Sequence, residues 1–552
     1  MTTRLPSTAP WQSLHLALPL PAHETDAFVT EDLAPLMDRL ADTDWFFIRY
    51  GEGGPHLRIR FRGASAHPDT LAKELGRLAS LRTAPDGPWA DRHGEVTAVP
   101  YAPETERYGG PSLLPVAEEL FTRSTRAAVL ALRTLAPSPS PSPSPSPSPA
   151  ARLPLALDLA HTTARALGLD ELAAARWLRG HSASWRWVTE FRPLPGAAVH
   201  SRVNTVFAQQ RQTLARRAAA LREALDSGTA APWLGDWSAH VTEAAARMRA
   251  DAPQGSEERL VRVWASQLHM LFNRLGVGPD EERAVCRLAG RTLLETDPPF
   301  GFFPEGPDAP DRQYLERSKF QIGRPEDTAL REAAPLDVPR PAPGDVPLPA
   351  DPLPAVSLAD ALLGRRSARG RLTGPLTAGE LGGLLWSAYA PNRPTGDRPY
   401  PSAGGLRAVR VRLIALAVEG LPAGTYHCVP ELRCLRPIGP APEPDQLKAL
   451  SYYLSRPASD PQALVVDEAP AVLAVHLDLA GLRQRYGLRA LRLGLVETGH
   501  LTQNLLLTSA AHGLGTTPLG GLFDDLAHEL LALDDLDEPI QYLLPLGRPA
   551  AP

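Results

Sequence analysis

The chain has 552 residues, 43% hydrophobic and 22% charged, which is ordinary for a soluble globular protein and long enough for two or three domains with their own cores. A net charge of −5 and a pI near 6.3 offer no global field for nucleic acid. Three cysteines (Cys286, Cys428, Cys434) without metal-ligand spacing, and no signal-like or membrane-length apolar run, exclude a disulfide scaffold, a zinc site and a membrane span, so the chain reads as cytoplasmic.

In chain order, LHLAL (14–18) reads as a strand and 31–41 as a helix. WFFIRYGEGGPHLRIRFR (45–62) reads as a hairpin turning at Gly-Gly-Pro. In its second half His56, Arg58, Arg60 and Arg62 share one face, and Leu57, Ile59 and Phe61 the other. Same-face neighbours on a strand are about 7 Å apart, so three successive guanidiniums either point into water or face an anion. Arg49 comes near the same place by alternation. A helix at 69–82, extended chain at 95–101, the stretch YAPETERYGG (101–110) and a helix from Leu113 follow. The Pro-Ser alternation of 137–149 reads as a polyproline spacer, about 3.1 Å per residue, looping from a domain that continues beyond it.

Residues 151–296 are strongly helical. The helix at 256–276 has Ser256 as N-cap, Glu257 and Glu258 in its first turn and Gly276 at C′. Arg262, Ser266, His269 and Asn273 form a polar stripe along it. Taken singly, His269 reads as a histidine satisfied by that stripe, and Arg107 as a surface ion pair with Glu104 or Glu106. Residues 298–354 form a proline-rich linker with a short docked segment around 312–322. A second domain then begins: a helix at 358–364, RRSARGR, a helix at 377–389, the loop DRPYPSAGG, strands VRVRLIALAV and YHCVP, and a helix at 445–454. Strand AVLAVHLDL, a long helix at 490–512 and strand QYLLPLG complete it. The expected division is 1–297, 298–354 and 355–552. The fold class is α+β throughout, a sheet with a helical part followed by a second α+β domain.

FIRYGEGGPHLRIRF, ERYGG and SQLHMLFNRL, in that order, resemble the three signatures of the lanthipeptide-dehydratase elimination domain, over roughly residues 11–300. The resemblance implies a peptide substrate whose Ser or Thr hydroxyl is glutamylated, and expulsion of glutamate to leave dehydroalanine or dehydrobutyrine. Such a β-elimination removes a weakly acidic Cα proton and builds negative charge on the enolate and the leaving carboxylate, which guanidiniums stabilise. Carried over by motif, Arg58, Arg60 and Arg107 bind the glutamyl carboxylates and polarise the ester, and His269 exchanges protons as general acid or base.

RRSAR, LLWSAY, RPYPSAGGL, ETGHLTQNLLL, GLGTTPLGG and LPLGRP resemble the flavin-dependent azoline dehydrogenases of the nitroreductase fold over 355–548. The resemblance implies flavin mononucleotide (FMN) held by Arg365, Ser367 and Arg369, with Arg366 as a substitute in an adjacent register. It also implies a loop of Pro401, Ser402, Ala403 and Gly404 against the ring, backbone amides of Gly520 and Gly521 near it, and Arg548 closing on the phosphate. In LRQRYG, Tyr486 matches the family's tyrosine, whereas Arg485 stands where lysine is expected and cannot be a base. Together the halves are similar to lactazole-type fusions of thiopeptide pathways: a bifunctional enzyme acting on a ribosomal precursor peptide, alongside other pathway enzymes, as a homodimer through the flavin domain. The alternatives are a pyridine synthase-type first half and a first half that only holds the peptide.

Overall fold

The computed structural model describes residues 9–63, 65–135, 149–185, 192–252, 257–294, 309–320, 339–392 and 396–549. Nearly all of the Pro-Ser run, the expected N-cap Ser256 and much of the expected linker lie outside the described residues. The chain divides into two compact units, one of residues 1–194 and 198–296, the other of 195–197 and 297–552.

In the first unit β1 (Gln12–Ala17) leads into α1 (Ala22–Ala27), a π-helical segment Phe28–Leu33 and α2 (Ala34–Asp38). The hairpin β2 (Asp44–Tyr50) and β3 (His56–Arg62), α3 (Pro68–Ser80) and β4 (Val96–Ala98) follow. The strands form an antiparallel sheet in the order β2-β3-β1-β4. One face carries Leu14, Leu16, Phe47, Leu57, Ile59 and Phe61 into a core with Phe28, Leu33, Leu71 and Leu75. Each such side chain contributes about 1.5–3 kcal/mol by leaving water, and this fixes which face β3 turns inward.

Among the described residues seven α-helices follow: α4 (Leu114–Leu135), α5 (Leu153–Ala166), α6 (Glu171–Ser184), α7 (Gly196–Asp226), α8 (Pro232–Asp251), α9 (Glu257–Leu275) and α10 (Pro279–Leu294). Phe46, opposite Arg60 on the second face of the sheet, belongs to their core with Phe121, Leu268 and Leu271. The arginine face of β3 is therefore partly roofed by helices instead of lying in water. α9 carries Glu257 and Glu258 in its first turn, and Gly276 follows it at φ +78°.

The second unit contains α11 (Pro310–Arg317), β5 (Val346–Pro347), α12 (Leu358–Gly364), β6 (Gly370–Thr373), α13 (Ala378–Tyr389), β7 (Val409–Ala415), β8 (Gly424–Val429) and β9 (Cys434–Gly439). It continues with α14 (Pro444–Lys448), β10 (Leu464–Val465), β11 (Ala471–Leu477), α15 (Leu479–Tyr486), α16 (Ala490–Ala511), β12 (Gly515–Thr516), α17 (Asp524–Leu531) and β13 (Ile540–Pro549). The sheet runs β10-β6-β13-β11-β7-β8-β9-β5, with β12 on β13. β11 is buried along its whole length, with one core on each face of the sheet. The helix expected over 445–454 stops at Lys448. Beyond it Ser451 donates its hydroxyl to the Gly521 carbonyl and Leu450 accepts from Phe523, so loop contacts replace the helical ladder.

Candidate active sites

On the second face of the first sheet, Arg58 pairs with His15 of β1 and Ile48 of β2, and Arg60 with Ser13 and Phe46. The Arg58 guanidinium lies 3.3 Å from the Tyr50 ring centroid, and its Nε donates to His56 Nε2 at 3.2 Å. His56 Nδ1 contacts the Gly54 carbonyl at 2.8 Å, which makes Nδ1 the protonated nitrogen of a neutral ring. Burial, with Arg58 adjacent, lowers the pKa of His56 and takes that of the stacked His15 down to about 4. His15, His56, Arg58, Trp89, Arg92 and Glu95 line an open cavity of about 350 Å³ over this end of the sheet.

One pair further along, Arg60 is buried, and its Nε and one Nη have no hydrogen-bond acceptor. Arg274, the penultimate residue of α9, is fully buried with all three guanidinium nitrogens unaccepted. Arg60 stacks on Phe46 and Tyr101 (5.7 and 5.4 Å), Arg274 on Phe46 and Phe121 (5.6 and 5.3 Å). Burial lowers the pKa of both, Arg274 to about 9. Two guanidiniums thus share the Phe46 ring without a carboxylate on either, leaving buried donors unaccepted.

Arg107 donates to Glu104 (Nη1, 2.8 Å) and to Ser266 of α9 (Nε, 3.2 Å), so the expected surface pair with Glu104 is present while the same side chain also reaches the α9 stripe. One turn further, His269 Nδ1 lies 2.8 Å from Glu282 of α10, and Trp185 packs edge-on against the ring. Asn273 is a clamp, exchanging two 2.9 Å hydrogen bonds with the backbone of Arg49 on β2. Arg49 departs from its expected place. Its Cα partner is Leu57, so it leaves on the apolar face, where it meets Asp26 (2.7 Å) and the Arg274 carbonyl (3.1 Å). Arg62 is engaged by Asp44 and stacked over Trp11.

In the second unit the expected flavin residues fall into two groups. In the first, Ser402 donates to Glu497 of α16 (2.9 Å) and accepts from the Arg407 amide (2.7 Å). Burial raises the pKa of Glu497. Asn504 of the same helix donates to the Pro399 carbonyl, so α16 fixes the loop of Pro401, Ser402, Ala403 and Gly404. Gly404 has φ +58°, and a Cβ there would run into Tyr486 Oη, with Arg485 Nε at 3.3 Å. The loop and the Arg485–Tyr486 pair are thus in contact. In the second group, Ser367 bridges Thr516, whose backbone carbonyl accepts from Ala368 (3.1 Å), and Thr517 Oγ1 donates to the Ala368 carbonyl (2.8 Å). Thr516 Oγ1 is buried without a partner. Arg365 caps the end of α12. Neither it nor Arg366 forms an ion pair among the described residues. Arg369 donates to the Ala368 carbonyl and Gln462, whereas Arg548 is held by Glu380 at 2.6 Å and the Pro375 carbonyl. Gly520 and Gly521 lie against Tyr542 and Tyr453.

Among the described residues no group of His, Cys, Asp and Glu is arranged to hold a metal ion, and no helix is long and apolar enough to cross a membrane. His15, Arg274, Glu282 and Thr516 were not singled out by the motifs. His15 alone carried a usable signal, since pairing its strand antiparallel to β3 sets it beside the arginines.

Residues 11–293, just over half of the chain, match the family described as lantibiotic biosynthesis dehydratase C-term, and residues 362–548 match the nitroreductase family. The chain is 29% identical over 193 residues to the Methanocaldococcus jannaschii protein designated nitroreductase MJ1384, covering 35% of this chain and 91% of that one. It is 30% identical over 156 residues to the microcin B17-processing protein McbC of Escherichia coli, 27% of this chain and 54% of McbC. It is 35% identical over 89 residues to the subtilin biosynthesis protein SpaB of Bacillus subtilis, 16% of this chain but only 8% of SpaB. The chain belongs to the lantibiotic biosynthesis dehydratase C-terminal family and carries, after that region, a domain of the nitroreductase fold.

Proposed function

We propose that the chain is a bifunctional tailoring enzyme for a ribosomal precursor peptide of the thiopeptide type. Its first unit eliminates glutamate from glutamylated Ser or Thr, and its second oxidises azolines to azoles. The observation that carries the first activity is the unpaired guanidinium pair Arg60–Arg274, one same-face step along β3 from Arg58, which lines the open cavity. A buried unpaired charge costs several kcal/mol, and an anionic glutamyl group and its enolate offset that cost. Arg107, placed on α9 by Ser266, and His269 complete the set: charge stabilisation from the arginines, proton exchange at the imidazole. Mass spectrometry of a synthetic peptide with one glutamate-esterified serine tests it. Loss of glutamate to give dehydroalanine is expected; an unchanged mass, or a six-membered nitrogen ring from two pre-formed dehydroalanines, overturns it.

The residues of the second unit fit FMN. Arg365 and Arg366 are free cationic donors, Ser367 is exposed, and the orphaned Thr516 hydroxyl lies on its bridge partner. Flavin held there would supply the hydride acceptor for the azoline ring. Tyr486 removes the ring proton and Arg485 supplies positive charge beside it, at the end of α15 against the Pro401–Gly404 loop that α16 holds. McbC, a microcin B17-processing protein, supports a modified peptide as substrate. Exposed Leu358, Leu362 and Leu363 of α12 and Leu495 and Val496 of α16, helices that pack together, support a homodimer through this unit. Replacing Arg365 and Arg366 together by Ala is expected to give colourless protein from a yellow parent, with FMN affinity reduced at least about tenfold in a fluorescence titration. Full retention of flavin assigns the phosphate elsewhere.

A further inference from the structure

The buried carboxylate behind His269 has a second partner. Glu282 has no exposed side-chain surface; its Oε2 is 2.8 Å from His269 Nδ1 and its Oε1 2.5 Å from His181 Nε2 of α6. We propose that Glu282 and His181 are positioning residues that fix His269 with Nδ1 protonated, so that Nε2 is the atom that takes the Cα proton. This rests on the elimination reading.

Burial by itself raises a carboxyl's pKa, but the charges of His269 and His181 and their hydrogen bonds outweigh it, and Glu282 is brought down to about 2. It is an anion at any working pH, and an ionised carboxylate only accepts. Both nitrogens facing it therefore carry hydrogen. His181 Nδ1 is buried with no partner, so His181 enters the cluster through Nε2 alone. Cys286, one turn on along α10, stays a thiol, since burial and Glu282 push its pKa up. With its Nδ1–H committed to Glu282, the His269 ring has Nε2 left to exchange a proton. His181 caps the second carboxylate oxygen, and Trp185 packs its ring against His269, so the imidazole is held at its edge and at its back. In the reaction the Cα–H bond breaks with its proton going to Nε2. Its electron pair becomes the Cα=Cβ bond, and the Cβ–O pair leaves on glutamate.

Two measurements test this on the full chain. In protein labelled with ¹⁵N-histidine, His269 is expected to show a protonated Nδ1 and an unprotonated Nε2 at neutral pH, with a downfield Nδ1–H resonance; the opposite tautomer overturns the proposal. With the glutamate-esterified serine peptide, Glu282→Gln is expected to lower kcat about 100-fold with KM within about twofold, and Glu282→Asp to restore part of the loss. Wild-type kcat in Glu282→Gln also overturns it. If Glu282→Gln does not fold, the tautomer and Glu282→Asp decide. A parent enzyme that fails to eliminate refutes the reading of function, while the resonance still judges the positioning.

Discussion

Arg274→Met is expected to make the protein more stable and the elimination step slower. The fall in pKa from the usual 12.5 to about 9 corresponds to roughly 5 kcal/mol against the charged form in the fold. The sign follows from linkage. A base whose folded pKa is depressed destabilises the fold fully below the folded value, and the cost fades as pH rises toward the unfolded one. At neutral pH the whole cost is present, and only two ring contacts offset it, each about 0.5–2 kcal/mol. An unbranched apolar side chain of similar length keeps the packing and removes the charge. A net gain of about 1–4 kcal/mol is expected, raising the midpoint of the unfolding transition by several degrees. On the proposed elimination reading, removing one of the two unpaired guanidiniums is expected to cost about 100-fold in kcat/KM, by comparison with removal of one oxyanion donor. Calorimetry and the peptide assay on the same preparation decide. Stability lost with activity kept would make Arg274 a structural cation, not a poised one.

The strand with this charge was legible because its alternation is enforced: Leu57, Ile59 and Phe61 must share one face, so His56, Arg58 and Arg60 share the other. What roofs that face was not legible, since Phe46 comes from the neighbouring strand and Arg274 from a helix more than 200 residues on. Arg274 reads as the basic end of α9, where a positive residue is ordinary. Glu282 was hidden in the same way, because Asp280, Glu281 and Glu282 look like carboxylates favouring the start of α10. Arg49 was misplaced because alternation along one strand does not give the register across a hairpin; pairing with Leu57 sends it to the other face. The second fold was legible from motif order. The contact of Tyr486 with Gly404 depends on where α15 ends, which no local pattern states.

That contact gives the second large effect. Tyr486→Phe is expected to leave the flavin bound and the protein yellow while azoline oxidation, read as loss of two hydrogens per ring, falls about 10²–10⁴-fold, as for loss of a proton-transfer group. The phenol oxygen occupies the space that a Cβ on Gly404 would take, at φ +58° where a side chain is strained. Gly404→Ala therefore tests the geometry without touching the phenol. A methyl there both strains the backbone and displaces Tyr486 Oη, so oxidation is expected to fall nearly as far as in Tyr486→Phe, with Arg485 moved as well. The double variant is expected to be little worse than either single one, because both remove the same placed oxygen. If Gly404→Ala oxidises at the parental rate, Tyr486 acts from another position. If Tyr486→Phe alone is silent, the proton goes to another group, and Arg485, a guanidinium, cannot be that group.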